Sequence, residues 1–475
     1  MKRLVSLCSV LLGAFLPSAA FANPEDAWKS GPYLFLDNAW IAASTNLERR
    51  ITPPDVLPDP IVTGRKEDGS GDNCFQPYLT VLRDPESGRF RMWYGVPESS
   101  NQSHLAYMES EDGNHWVRPH RVLEDPARIQ FGCAVVDRGP KHPNPAERFA
   151  YGFYGDKDGA GGLRIAVSPD GLAWRMTEGL LRHSHDITWL GWDPIRSRFL
   201  AFVSMMKEGP GWSESRRIPH QSVSRDLMDW REPWKVVEPE QGEEGEVQFY
   251  CMAGAIARGE TLVALVKVLR DDLNAETGAS AKDMGDDSRK AAGVGYTVLA
   301  WSHDGESWSR DIEPFLDRDP RPSEWDRAMV WGDCQLPVGD EIFIYYGGYK
   351  RGHKVNRFVE RQIGLARMMR DRYVARRADR EQATLRTPAR ILQASGLTLN
   401  SRSYSPLRVR LLDAEGLPYP GFGWDDCESI VGDSVAHRVV WRGDLASLAG
   451  KSVALEFALT NTDLWAFDWI ESNEL

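Results

Sequence analysis

One turn motif constrains this chain more than any other feature. The pattern Ser-x-Asp-Gly-x-x-Trp occurs as SEDGNHW from Ser110, SPDGLAW from Ser168 and SHDGESW from Ser302, with a degenerate copy, SRDLMDW, from Ser224. Successive copies lie just under sixty residues apart, except for the longer gap before Ser302, and a repeat of that length in β-type sequence implies sheet units arranged radially. Asp-Gly supplies a tight turn with a positive φ that only Gly adopts cheaply. The Ser and Asp side chains cap its amides, and the Trp returns to pack between sheets. The motif therefore marks a hairpin, not a catalytic centre.

Upstream of each turn the same strands recur. Second strands read RFRMWYGV from Arg89, RFAYGFYG from Arg148, RFLAFVSM from Arg198, TLVALVKV from Thr261 and EIFIYYGG from Glu341. Third strands follow as HLAYMES, GLRIAVS, HQSVS, YTVLAWS and IGLARMM. Both sets are β-branched or aromatic runs bounded by Gly, Pro and Asp. The fifth set, ending in Arg370-Asp371-Arg372, has lost its Asp-Gly turn. The extra length before Ser302 is the polar segment from Arg270 to Gly293, a loop inserted between the second and third strands of the fourth repeat. After about residue 380 the pattern changes to GLTLNSR, LRVRLLDAEG, AHRVVWRG, SVALEFALT and LWAFDWI, short strands that suggest a β-sandwich. The expected fold class is all-β: a five-bladed β-propeller over residues 23–382 followed by a small β-sandwich domain over 383–475.

The N-terminus reads as an export signal. Lys2 and Arg3 precede an apolar stretch from Leu4 to Leu16 and an Ala20-Phe21-Ala22 cleavage site. Residues 1–22 are expected to be removed after Ala22, giving a periplasmic or secreted product, and no later segment is apolar for long enough to span a bilayer. The net charge of -12 makes nucleic acid an unfavourable partner. Outside the signal, Cys74, Cys133, Cys251, Cys334 and Cys427 lack metal-type spacing, and they read as small buried hydrophobes.

In a propeller the innermost strands converge on one funnel, so the segments leading into them supply the candidate site. These are GDNCFQPYLTVL with Asp72, Asn73 and Gln76; IQFGCAVV, with no carboxylate; HSHDITWLGW with His185 and Asp186; EGEVQFYCMAG with Glu246, Gln248 and Tyr250; and MVWGDCQLP with Trp331, Asp333 and Gln335. Converging carboxylates are what glycoside hydrolysis requires, one protonated as general acid and another ionised as nucleophile or base. Crowding raises the pKa of one of them and so helps to produce the acid. Glu246 is read as the acid, Asp186 as nucleophile or base, and Asp72 and Asp333 as positioning carboxylates. Asn73, Gln76, His185, Gln248, Tyr250, Trp331 and Gln335 are read as glycan-binding residues. Asp37 in LFLDNAW is expected to lie on a strand that closes the ring.

No cofactor is expected. DGSGDN from Asp68 resembles the start of a calcium loop but lacks the Glu at its twelfth position, and His183 and His185 lack a third metal partner. DGAGG from Asp158 precedes a strand and reads as a hairpin, not a phosphate loop. A non-catalytic carbohydrate-binding propeller and a polysaccharide lyase using Tyr250 or His185 as base are the competing readings. The residues leave the oligomeric state open.

These strands, with the LFLD opening, RRITPP from Arg49 and the C-terminal LRVRLLDAEGLPYPGF from Leu407 to Phe422, resemble the five-bladed-propeller glycoside hydrolase group that contains the invertase-like and arabinanase-like enzymes. The resemblance implies catalytic acids on the inner strands of the first three blades: an Asp nucleophile or base, an Asp that stabilises the transition state and a Glu general acid. Asp72 stands nearest the first, the second blade carries no Asp, and Glu246 is on the fourth blade. The turn motif is also similar to the Asp-boxes of sialidases, which implies six blades and an arginine triad.

Overall fold

The computed structural model describes residues 27–29, 31–64, 78–99, 102–117, 121–157, 160–183, 187–208, 215–240, 247–276, 291–353 and 361–470. Among these residues there is no α-helix, only three short 3-10 turns, and the fold is all-β. Asp72, Asn73, Gln76, His185, Asp186 and Glu246 lie outside the described residues, as do Cys74, the signal segment and most of the inserted loop.

Five antiparallel four-stranded units carry the repeat. The first comprises Leu79–Arg83, Phe90–Ser99, Gln102–Ser110 and Arg121–Val122; the second Phe131–Asp137, Phe149–Lys157, Ala160–Ser168 and Arg175–Arg182. The third comprises Thr188–Asp193, Arg198–Lys207, Arg216–Ser224 and Trp234–Lys235; the fourth Val247–Arg258, Thr261–Arg270, Val294–Ser302 and Ser309–Arg310. The fifth takes Met329–Val338, Glu341–Tyr349 and Arg361–Met369, and its fourth strand is Asp55–Val56 from the other end of the chain. Every second and third strand read from the sequence is present, and the inserted segment lies between the second and third strands of the fourth unit.

The four turn motifs share one geometry. In each, the Ser Oγ accepts the amide three residues on, at 2.9 Å from Gly113, Gly171 and Leu227 and 2.8 Å from Gly305. The Asp Oδ1 accepts the next two free amides, as Asp112 does from Asn114 at 2.9 Å and His115 at 2.8 Å. The motif glycines sit at φ of +77°, +79° and +69°, and Leu227 takes the same place at +70°.

Each turn docks on the preceding unit, and these contacts run in a cycle. Tyr345 of the fifth unit donates to the Gly113 carbonyl of the first at 2.9 Å, and Trp93 of the first donates to the Gly171 carbonyl of the second at 2.7 Å. Leu227 of the third turn is buried in an apolar cluster with Ile165 and Leu181 of the second unit. Gln221 and Arg198 of the third unit donate to the Gly305 carbonyl of the fourth, each at 2.7 Å. The first strands pack in the same cyclic order, one to five and back to one. Apolar clusters fill the spaces between neighbouring sheets, because each sheet is apolar on both faces.

A separate ten-stranded sheet is built around Gly396–Leu412. The first half of this strand pairs with Thr462–Ile470 and Ile430–Arg438, the second half with Ser452–Leu459, and the pairing shifts between Ser403 and Leu407. Two expected strands are thus one, because Pro406, which has no N–H to donate, sits within the shift and does not end the strand. Val374–Ala378 and three N-terminal strands, Tyr33–Leu34, Ala43–Thr45 and Glu48–Ile51, join the same sheet. The Asp37 segment therefore does not close the ring. Asp37 instead accepts from Trp301 Nε1 at 2.6 Å and lies 3.1 Å from His303 Nε2, while Asp55–Val56 pairs with Ala366 and Arg367.

Candidate functional site

The centre of the ring is tied by polar contacts between first strands. Thr80 Oγ1 of the first unit donates to the Cys133 carbonyl of the second and accepts from the Val135 amide, both at 3.1 Å. Asp333 of the fifth unit lies where the pairing of Met329–Val338 with its neighbour shifts between Gly332 and Cys334. That irregularity re-aims a side chain within an otherwise regular strand. One Asp333 oxygen takes the Leu79 amide of the first unit, and the other takes the Lys267 ammonium of the fourth. Lys267 is wholly buried, and its Nζ stands 5.0 Å from the centre of the Tyr78 ring.

Burial pushes the Asp333 carboxyl above the usual range, against the pull of Lys267 and the Leu79 amide. Burial, with the Asp333 charge adding to it, also drives the Cys133 thiol well up. Both Asp333 oxygens are thus engaged within the fold.

Toward the leading ends of the first strands, Gln248, Tyr250 and Trp331 come together. Gln248 accepts from Arg217 at 2.7 Å and donates to Asp271 at 2.5 Å, and Asp271 also pairs with Arg216 at 3.2 Å. The Arg217 guanidinium lies 4.7 Å over the Tyr250 ring. Tyr250 stacks on Trp331 at 4.6 Å, with His353 set edge-on at 4.7 Å. The structure corrects two expected binding roles. Trp331 is 0% exposed and spends its indole N–H on the Val268 carbonyl at 2.8 Å, so neither ring face is open to a sugar. Gln335 points away from this group: its amide donates to the Gly254 and Val263 carbonyls and its oxygen accepts from Tyr373. Trp189, the other aromatic near a strand start, stacks on Phe202 at 5.4 Å inside the sheet packing.

Sequence reasoning missed Lys267, Arg216, Arg217, Asp271 and His353. Lys267 had a visible signal, a single charge inside the apolar run TLVALVKV. The others lie on second-to-third strand connections or at their ends, away from the segments that precede the first strands. Among the described residues no cluster of three or more His, Cys, Asp or Glu could hold a metal ion. No helix among them is long and apolar enough to cross a membrane. Cys133, Cys334 and Cys427 are buried free thiols, and Cys251 is buried.

The sequence matches no known protein family and no curated protein. Similar solved structures include an N-acetylgalactosamine deacetylase from F. plautii in complex with blood group B trisaccharide, with 15% identity over 69% of this chain and 97% of that one and a TM-score of 0.45. A glycosyl hydrolase from Bacteroides ovatus is 14% identical over 69% of this chain and 95% of its own, with a TM-score of 0.42. The GH32 β-fructofuranosidase of Bombyx mori is 10% identical over 89% and 95%, with a TM-score of 0.38. At these identities and scores the likeness assigns no activity to this chain.

Proposed function

We propose that this chain is an exported glycoside hydrolase whose five units are the blades of a propeller closed by Asp55–Val56, with an accessory β-sandwich from residue 383 that the N-terminal strands complete. One observation carries the reading. The first strands pack in a closed cycle, and carboxylates precede three of them in sequence. Glu246 stands one residue before Val247–Arg258, Asp186 two before Thr188–Asp193, and Asp72 shortly before Leu79–Arg83. Glycoside cleavage needs two carboxyl groups across the scissile bond, about 5–5.5 Å apart for retention of configuration and about 6.5–9.5 Å for inversion.

In this reading Glu246 protonates the leaving oxygen and Asp186 acts as nucleophile or base. Asp72 sets the field between them, and the Asp333–Lys267 pair holds the floor of the funnel. Asn73, Gln76 and His185 are the sugar contacts, and Gln248 and Tyr250, buried against Arg217, Asp271 and Trp331, support the wall from behind. The chemistry draws on no cofactor.

Glu246→Gln and Asp186→Asn are expected each to remove turnover of a cleaved glycan by about 10²-fold or more while leaving thermal unfolding unchanged. Full activity of both variants contradicts the assignment. Export is tested separately by sequencing the mature N-terminus, which is expected to begin at Asn23.

A further inference from the structure

Beside the ends of Phe131–Asp137 and Thr188–Asp193, a cleft of about 270 Å³ opens between the second and third units. Trp192 forms one wall. It is 41% exposed, and Phe199 braces it edge-on at a centroid distance of 4.9 Å and an angle of 68°. Trp230 and Trp234 of the same unit spend their indole N–H groups on the Leu227 and Glu306 carbonyls. No hydrogen bond joins the Trp192 indole N–H to another described residue. An aromatic face kept open and braced from behind is a platform for the C–H face of a sugar ring.

The rim is cationic on an acidic protein. Arg225, in the turn after Arg216–Ser224, is exposed and makes no ion pair with any described residue. Arg138 gives both Nε, at 2.8 Å, and Nη2 to the Glu147 carbonyl, which leaves Nη1 uncommitted among the described residues, and the nearest approach to the Glu147 carboxylate, 3.6 Å, is loose. Glu147 is held more closely by Arg175, at 2.9 Å. Asp137 is the carboxylate of the lining, and Arg148 grips it with two bonds of 2.9 and 2.8 Å, which cancels its charge. Arg138 and Arg225 therefore leave net positive charge beside the indole face. Guanidinium groups recognise carboxylates with directed, charge-assisted hydrogen bonds. The volume is below the ~300–1,000 Å³ of sites for drug-sized ligands, which suits one residue of a chain passing across the surface.

We propose that this cleft is a second glycan site that binds a carboxylate-bearing pyranose residue of an acidic polysaccharide. Trp192 stacks the ring, and Arg225 with Arg138 pairs the carboxylate. The site stands apart from the funnel and would bind whether or not the funnel performs chemistry.

Affinity electrophoresis tests it in native gels cast with polygalacturonate, alginate or hyaluronate, and with methyl-esterified polygalacturonate as the uncharged counterpart. The full chain is expected to be retarded by at least one acidic polymer and not by the ester, with retardation falling as salt rises. Trp192→Ala and Arg225→Gln, both changes at exposed side chains, are expected to weaken that retardation at least about tenfold, or ~1.4 kcal/mol, while glycan turnover by the funnel is unchanged. Three results would overturn the proposal: no retardation on any acidic polymer, equal retardation on the ester, or retardation that survives both substitutions. Loss of funnel activity in Glu246→Gln with retardation intact would leave this site standing.

Discussion

Lys267 and Asp333 form a buried charge pair in which each partner makes the other tolerable. A charge removed from water and left alone costs about 3–5 kcal/mol, whereas replacing both partners by apolar groups is often neutral. Lys267→Met is therefore expected to lower stability by about that amount in urea unfolding, and Lys267→Met with Asp333→Leu to recover most of it. Asp326 is the opposite case. Burial raises its carboxyl to about 6, opposed only in part by the hydrogen bond from Tyr346 at 3.1 Å. A carboxyl whose folded pKa lies above its unfolded value stabilises fully below the unfolded value and loses that contribution as pH rises through the folded one. Stability is thus expected to fall between about pH 4 and pH 6. Asp326→Asn should flatten that part of the pH profile in thermal unfolding; a profile unchanged by the substitution contradicts the reading. Lys267 and Asp326, unlike Asp333, were not singled out from sequence, because the burial that gives each its character comes from strands far away in the chain.

The turn motifs were fully legible, since a local pattern of Ser, Asp, Gly and Trp dictates a local geometry. Burial would raise the Asp304 carboxyl, but the amides of Ser307 and Glu306 hold it down at about 2. Its stabilisation is present above the unfolded pKa and is lost as pH falls from about 4 through about 2. Asp304→Ala is expected to remove that acid-side dependence and to lower the melting temperature at neutral pH. Leu227 shows why the third copy is degenerate. A left-handed backbone costs a non-glycine residue ~1–2 kcal/mol, and truncating a buried leucine costs ~2–5 kcal/mol. Leu227→Gly is accordingly expected to destabilise by about 1–3 kcal/mol, although it restores the motif. A stabilising effect would show that backbone strain outweighs packing there. Less legible were the strands of two to four residues, such as Asp55–Val56 and Glu48–Ile51, whose partners lie more than 300 residues away. Sequences that short carry no periodicity to read.

The whole molecule depends on closing a cycle, and closure is where sequence said least. The first unit meets the fifth through Tyr345 and the Gly113 carbonyl and through Asp333 and the Leu79 amide, and Asp55–Val56 seals the outer edge. Tyr345→Phe removes one such contact and leaves a buried carbonyl unpaired, an expected loss of about 1–3 kcal/mol. The ten-stranded sheet is fixed to the ring through a two-fold hydrogen bond between Arg258 and Asp371, at 2.6 and 2.7 Å, and through Trp301 and Asp37. Residues 33–51 thus belong to the C-terminal sheet in space, which no boundary drawn along the sequence conveys. The repeat fixed the ring; the chemistry proposed for the carboxylates that precede its first strands is the claim to be measured. Incubation of the purified protein with a broad panel of oligo- and polysaccharides, read by product mass and by new reducing ends, tests it most directly. The account predicts hydrolytic products from at least one glycan with the wild type and none with Glu246→Gln; glycan binding without turnover, or unsaturated products of elimination, would contradict it.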